Sequence, residues 1–165
     1  MSLKQIWSVK NLDLAWKRIT TGRNNAYKVF FRELYIAYET GLGDNINDLH
    51  DRLVGGSYKP QSPCRIYLPK PSGLQRPLTL LAIEDQIVLQ AIANSFARKI
   101  EPKISKLAYR CIYSNIPDPD IESIFFFKRW QISYHHYQKR IESEFKKGNR
   151  WVAHFDLAAY YDTVR

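Results

Sequence analysis

The stretch HFDLAAYYDTV, residues 154–164, carries two aspartates, Asp156 and Asp162, with two tyrosines between them. Before it runs an alternation of apolar residues, Trp151, Ala153 and Phe155. A period of two puts Asp156 on the same strand face as Val152 and His154. A carboxylate delivered by a strand end into a turn is a frequent ligand for a divalent cation in phosphoryl-transfer sites. The competing role is a cap for the following helix. A cation site of this kind needs at least a second carboxylate.

Two cations form a second candidate. Lys70 and Arg76 flank the tip of SPCRIYLPKPSGLQRPLTLL, residues 62–81, which holds four prolines and alternates on both sides of Pro-Ser-Gly. This predicts a β-hairpin with its turn near Ser72-Gly73, and Pro77, which has no N–H, marks an edge strand. A three-residue loop from Ser72 to Leu74 sets Lys70 directly across from Arg76. Like charges in that position repel, so they are tolerable where a polyanion lies between them. An ammonium beside a guanidinium suits a triphosphate; two solvated surface cations are the plainer alternative. A third candidate mixes cations with rings. Residues 97–110 hold Arg98, Lys99, Lys103, Lys106 and Arg110, and residues 125–140 interleave Lys128, Arg129, Lys139 and Arg140 with aromatic side chains. That composition suits a groove where phosphates are neutralised and bases stack. Trp130, Tyr134, Tyr137, Ile141 and Phe145 also fit a helical stripe facing a core. His135 and His136, adjacent on a helix, point apart and read as surface residues.

These side chains need a scaffold, and the composition permits one. The chain has 165 residues, 45% of them apolar and 14% aromatic, which is enough for a domain core and excludes general disorder. Lys and Arg number 25 against 16 Asp and Glu, a net +9 that matches a nucleic acid or another anionic partner. Cys64 and Cys111 stand far apart without metal-like spacing, as reduced thiols of an intracellular protein do. No stretch has the length or apolarity of a membrane span, so a cytoplasmic protein with no membrane partner is expected.

The pattern predicts an α+β fold. Three helices come first: NLDLAWKRI; a helix starting at the Asn24-Asn25 pair with Val29, Phe30, Leu34, Ala37 and Tyr38 inward and Gly41 as its stop; and a helix capped by Asp44 with Ile46, Leu49, Leu53 and Val54 on one face. After the hairpin, a helix with Ile87, Val88, Ala91, Ile92 and Phe96 on one stripe ends before Pro102. A second, long helix runs from about Ile121 to Lys147, and Trp151–Asp156 forms a final strand. A lone strand far from the hairpin cannot build a stable sheet. The sequence therefore resembles the first part of something larger.

Taken in order, the motifs resemble a known family. LPKPSGLQRPLTLLAIEDQIVLQAI, residues 68–92, is similar to the fingers block of reverse transcriptases of the group II intron and retron type. GSYKP at 56–60 resembles the Gly-x-Tyr-x-Pro before that block, LAYRCIY at 107–113 the Tyr-Arg block after it, and HFDLAAYYDTV the first palm motif. The resemblance runs from about Leu49 to the end. NIPDPD and the helix after it look most like the branch holding retron-like and phage-defence enzymes.

The pattern divides the chain into a helical extension over 1–43, which the resemblance does not reach, and, as the resemblance implies, mostly helical fingers with the hairpin over 44–148 and the first strand of an incomplete palm over 149–165. Asp156 would be the first catalytic aspartate on two Mg2+ ions, which are not held tightly by one carboxylate alone, and the Leu157 backbone carbonyl would also reach the metal. Lys70 and Arg76 would hold the incoming dNTP, and Tyr161 would be the steric gate that excludes a 2′-hydroxyl. Tyr160 would pack inward, Asp162 would be structural, and Asp85 would be an architectural acid. Arg98, Lys99, Lys103, Lys106 and Arg110 would carry nucleic acid. The implied activity is RNA-directed DNA synthesis on an RNA template from a DNA or RNA primer, with the remainder of the polymerase chain as partner. The family's Tyr-x-Asp-Asp is not in the sequence, so the chain alone is expected to be inactive. Two alternatives stay open: a non-catalytic RNA-binding module, and a polymerase that adds deoxynucleotides without a template.

Overall fold

The computed structural model describes the backbone of residues 3–21 and 25–157 and the side chains of 5–21 and 31–157. Within them the fold is α+β: α1 (Leu3–Ile6), α2 (Val9–Thr20), α3 (Asn25–Thr40), α4 (Leu42–Val54), β1 (Cys64–Pro69), β2 (Gln75–Leu80), α5 (Ile83–Leu107) and α6 (Trp130–Lys146). The two strands form one antiparallel sheet. None of these helices is long and apolar enough to cross a membrane.

The core gathers around α2. Ser8 caps this helix by accepting from the Asn11 N–H. Leu12, Ala15, Trp16 and Ile19, at steps of three, one and three, are all buried on one face. They pack mainly against Ile87 and Ala91 of α5 and Ile46 and Leu49 of α4, with Tyr35 closing the cluster from α3. Burial of each large side chain contributes about 1.5–3 kcal/mol. The α3 stripe differs from the expected one: Leu34 and Ala37 are exposed, while Tyr35 is buried and Phe31 and Tyr38 are half-buried. Non-helical angles at Phe31 (φ −127°, ψ 16°) break the helical phase. A stripe extrapolated through that kink emerges on the wrong side.

Three boundaries also depart from the sequence pattern. Helix α4 starts at Leu42 with Gly41 in the cap position, leaving Asp44 in the first turn rather than as the cap. Helix α5 continues through Pro102 to Leu107. The carbonyl that Pro102 cannot bond belongs to Arg98; both residues are exposed, so water can take its place. The long second helix begins at Trp130, not Ile121, and 108–129 is a loop. Polar side chains there bond the backbone locally: Asp118 Oδ1 accepts from the Asp120 N–H (2.9 Å), Asp120 Oδ1 from Glu122 (3.0 Å) and Ser123 Oγ from Phe125 (3.1 Å). Each bond offers the chain an alternative to the helical ladder.

A buried polar network fastens that loop to the core. The Arg18 guanidinium donates to Asn94 Oδ1 (2.8 Å), to the Ser123 carbonyl (2.8 and 2.9 Å) and to the Ile121 carbonyl (3.1 Å), and lies 5.2 Å from the Phe126 ring centre. Asn94 also donates to Asn11 Oδ1, and Asn11 donates to the carbonyls of Ile6 and Ala91. Burial, with Arg98 nearby, lowers the Arg18 pKa from its ordinary value. The charge is retained because four acceptor contacts satisfy it.

The expected final strand does not form. Residues 151–157 make no ladder with any described residue and are exposed throughout, Trp151 at 96% and Phe155 at 90%. An alternating pattern specifies which side chains share a face, but a strand needs a neighbour's backbone to bond.

Candidate functional site

The hairpin tip is built by its turn residues. The Gly73 N–H donates to the Lys70 carbonyl (3.0 Å), and the Lys70 N–H donates to the Leu74 carbonyl (2.7 Å). Pro71 follows Lys70, where its fixed φ favours the turn, and Gly73 has φ +79°, which a Cβ would disfavour. The loop is three residues, as expected, but it comprises 71–73 and not 72–74. Its register therefore differs from the expected one: Leu68 faces Arg76, Pro69 faces Gln75 and Ile66 faces Leu78. Lys70 is opposite Leu74, not Arg76.

Lys70 and Arg76 still share a face, because Lys70 is two residues beyond Leu68, the partner of Arg76. They are diagonal neighbours, with backbones about 7–8 Å apart, which softens their repulsion compared with a direct pair. The same face carries Ile66, Leu68 and Leu78, half-buried, and Leu80, buried, whereas Arg65, Tyr67, Gln75, Pro77 and Thr79 are exposed. The two cations thus extend the inward face of the sheet past the helical body. Among the described residues neither makes an ion pair.

Two acids in the first turn of α5 bind α4 and the segment that leads into the hairpin. Asp85, buried, accepts from the Tyr58 hydroxyl and from the Gln61 backbone N–H (3.0 Å). Glu84 pairs with Arg52 of α4, which also bonds Asp48 (2.8 Å). The Glu84 hydrogen bond raises the Arg52 pKa above its ordinary value. Burial, then the Asp85 hydrogen bond, raises that of Tyr58. Arg52 also lies 5.9 Å from the Tyr58 ring centre. Tyr58, which sequence reasoning quoted in a motif without a role, is the residue that ties the linker to the helix. Asp85 is the acceptor in the same contact.

The basic residues of α5 divide. Lys99, Lys103 and Lys106 are exposed at steps of four and three along one side, and Arg110 lies in the turn just past the helix end. Arg98 instead approaches Glu122 (3.7 Å), which also pairs with Lys10 (3.1 Å). On α6 the expected core stripe is largely exposed: Trp130 54%, Tyr134 51%, Tyr137 45%, Ile141 42% and Phe145 50%. Against the α6 face lies the 108–128 loop, with His136 stacked on Tyr109 at 3.9 Å and Tyr137 edge-on to Tyr113 at 5.6 Å. His136 therefore has a packing partner that the sequence reading did not foresee.

Asp156 and Leu157 lie in the exposed extended segment. Tyr161, Tyr160 and Asp162 are outside the described residues. Among the described residues no three His, Cys, Asp or Glu side chains gather as a metal site. A single carboxylate does not fit the two-ion arrangement that the resemblance implies. Cys64 and Cys111 are free and exposed.

The chain is similar to Protein YkfC of Escherichia coli (strain K12), 30% identical over 127 residues, covering 74% of this chain and 29% of YkfC. It thus spans under a third of that relative's length. No family model matches the sequence. No solved structure matches it either.

Proposed function

We propose that this chain is the fingers and the start of the palm of an RNA-directed DNA polymerase, engaging single-stranded RNA and the triphosphate of an incoming deoxynucleotide. One observation carries the reading. The separate motifs of residues 56–92 form one physical unit, in which Tyr58 bonds the acid that opens α5 and the hairpin between them sets Lys70 and Arg76 on one face. A spacing shared with that family by chance has no reason to close into such a contact. The α5 lysines support an adjoining track for phosphates, since exposed cations at helical spacing can follow a backbone without reading its sequence.

In a complete polymerase, divalent cations would activate the primer hydroxyl and stabilise charge on the phosphates. Among the described residues, Asp156 alone does not build their site. What this chain's residues supply is binding and orientation: a guanidinium and an ammonium for the triphosphate, lysines for the template.

The test separates the two cation sets. The affinity of the chain for single-stranded RNA should fall steeply with salt. Replacing Lys99, Lys103 and Lys106 together by Glu should flatten the log–log slope by about two, at about 0.7 per lost phosphate contact. Arg76→Ala should leave RNA binding unchanged and abolish protection of the hairpin by a deoxynucleoside triphosphate in hydrogen exchange. A flat salt response would sink the reading. RNA binding without any triphosphate effect would identify a non-catalytic RNA-binding module instead.

A further inference from the structure

Between α6 and the 108–128 loop lies a cleft of about 580 Å³, within the size range of small-ligand sites. Tyr113, Phe127, Trp130, Tyr134 and Tyr137 line it, and Lys128 is the charged residue in its wall. Phe127, Trp130, Tyr134 and Tyr137 are each between 42% and 54% exposed. The ring pairs within the lining are steeply inclined or tilted: Tyr113 and Tyr137 at 63°, Trp130 and Tyr134 at 61°, Tyr134 and Tyr137 at 39°. Among the described residues none of these pairs is stacked face to face, so the rings of Tyr134 and Tyr137 can offer a face to a planar guest.

Charge chooses between guests. Aromatic grooves also take proline-rich peptides, but among the described residues no carboxylate lines this cleft to hold a basic peptide. Its surroundings are cationic. Lys128 is in the wall, Arg129 occupies the cap position of α6, and the Tyr113 hydroxyl donates to the Arg110 carbonyl at 3.3 Å. That last contact brings the backbone just past the end of α5 beside a ring of the cleft.

We infer that the cleft is a base-stacking pocket for a single-stranded nucleic acid whose phosphates lie on Lys106, Arg110 and Lys128. This rests on the phosphate role given above to the α5 lysines and goes beyond it, since it assigns base contact to rings outside the hairpin and the palm segment. Stacking is tolerant of sequence because every base has a π-face.

The experiment uses two labelled oligomers of about twelve units: oligothymidylate, and a chain of abasic sugars of equal length and charge. The oligothymidylate should bind about tenfold tighter. Tyr134→Ala should erase that difference, while Tyr134→Phe, which keeps the ring, should preserve it. Lys103→Glu should weaken both oligomers alike. Equal binding of the two oligomers by the unmodified chain would overturn the base pocket and leave the phosphate track standing. Parallel loss of both with Tyr134→Ala, or displacement of the oligomer by a proline-rich peptide, would overturn it too. If neither oligomer binds, the phosphate track itself fails and the pocket with it.

Discussion

Removing the Asp85 carboxylate should loosen the hairpin from the helical body by a calculable amount. Asp85 is 9% exposed and accepts from two donors, the Tyr58 hydroxyl and the Gln61 N–H. Asp85→Ala leaves both without their acceptor. A buried orphan costs about 1–3 kcal/mol, but Tyr58 is only half-buried and Gln61 is exposed, so water recovers part of each. The expected loss is about 2–3 kcal/mol, a fall in Tm of about 5–10 °C for a chain of this size. Tyr58→Phe removes one bond to a charged group and should cost about 1.5–3 kcal/mol. The double variant should lose less than the sum, with a coupling of about 1–2 kcal/mol. Urea unfolding followed by circular dichroism supplies the four free energies. Hydrogen exchange at 59–63 should rise in both single variants while α2 stays protected. Strict additivity, or an Asp85→Ala change within error of zero, would refute the contact as the tether.

Two further substitutions probe the body. The Tyr38 hydroxyl is buried with no hydrogen-bond partner among the described residues, and burial, with Glu84 nearby, pushes its pKa up from 10 to about 12. A raised folded-state pKa means that this group's contribution is intact below about pH 10 and is lost as the pH climbs through about 12. Tyr38→Phe removes the unpartnered hydroxyl and should raise stability at neutral pH by about 1 kcal/mol, and because it removes the titrating group it should also reduce the loss between those pH values. A destabilised variant, or an unchanged alkaline limb, counts against it. Arg18→Met keeps the aliphatic stem but removes the bonds to Asn94, Ile121 and Ser123, at a cost of about 2–3 kcal/mol. Exchange protection should disappear first at 121–125, and uniform loss across the molecule would refute a local anchor.

How far the sequence reaches is clearest where one interaction range dominates. Leu12, Ala15, Trp16 and Ile19 declare a helix face because their spacing is that of the helix itself, whatever covers them. The hairpin is legible for a similar reason, since Pro71 and Gly73 carry the dihedral demands of its turn. Which three residues formed the loop was not legible from alternation alone, because registers that differ by two residues keep every side chain on the same face. The shared face of Lys70 and Arg76 survives that ambiguity, whereas their direct opposition does not.

The remaining features depend on groups distant in sequence. Periodicity extends a helix back to Ile121, but Asp118, Asp120 and Ser123 bond their own backbone, and Arg18, more than a hundred residues earlier, takes the Ile121 and Ser123 carbonyls. The stripe on α6 is amphipathic in sequence and largely exposed in the fold, since amphipathicity states only that a face can be covered and not that a neighbour covers it. Residues 151–156 alternate as a strand does, yet no described backbone lies alongside to complete the ladder. Local dihedral preference and side-chain period are properties of the sequence. Register, burial and strand formation are properties of pairs, and only the tertiary structure decides which pairs meet.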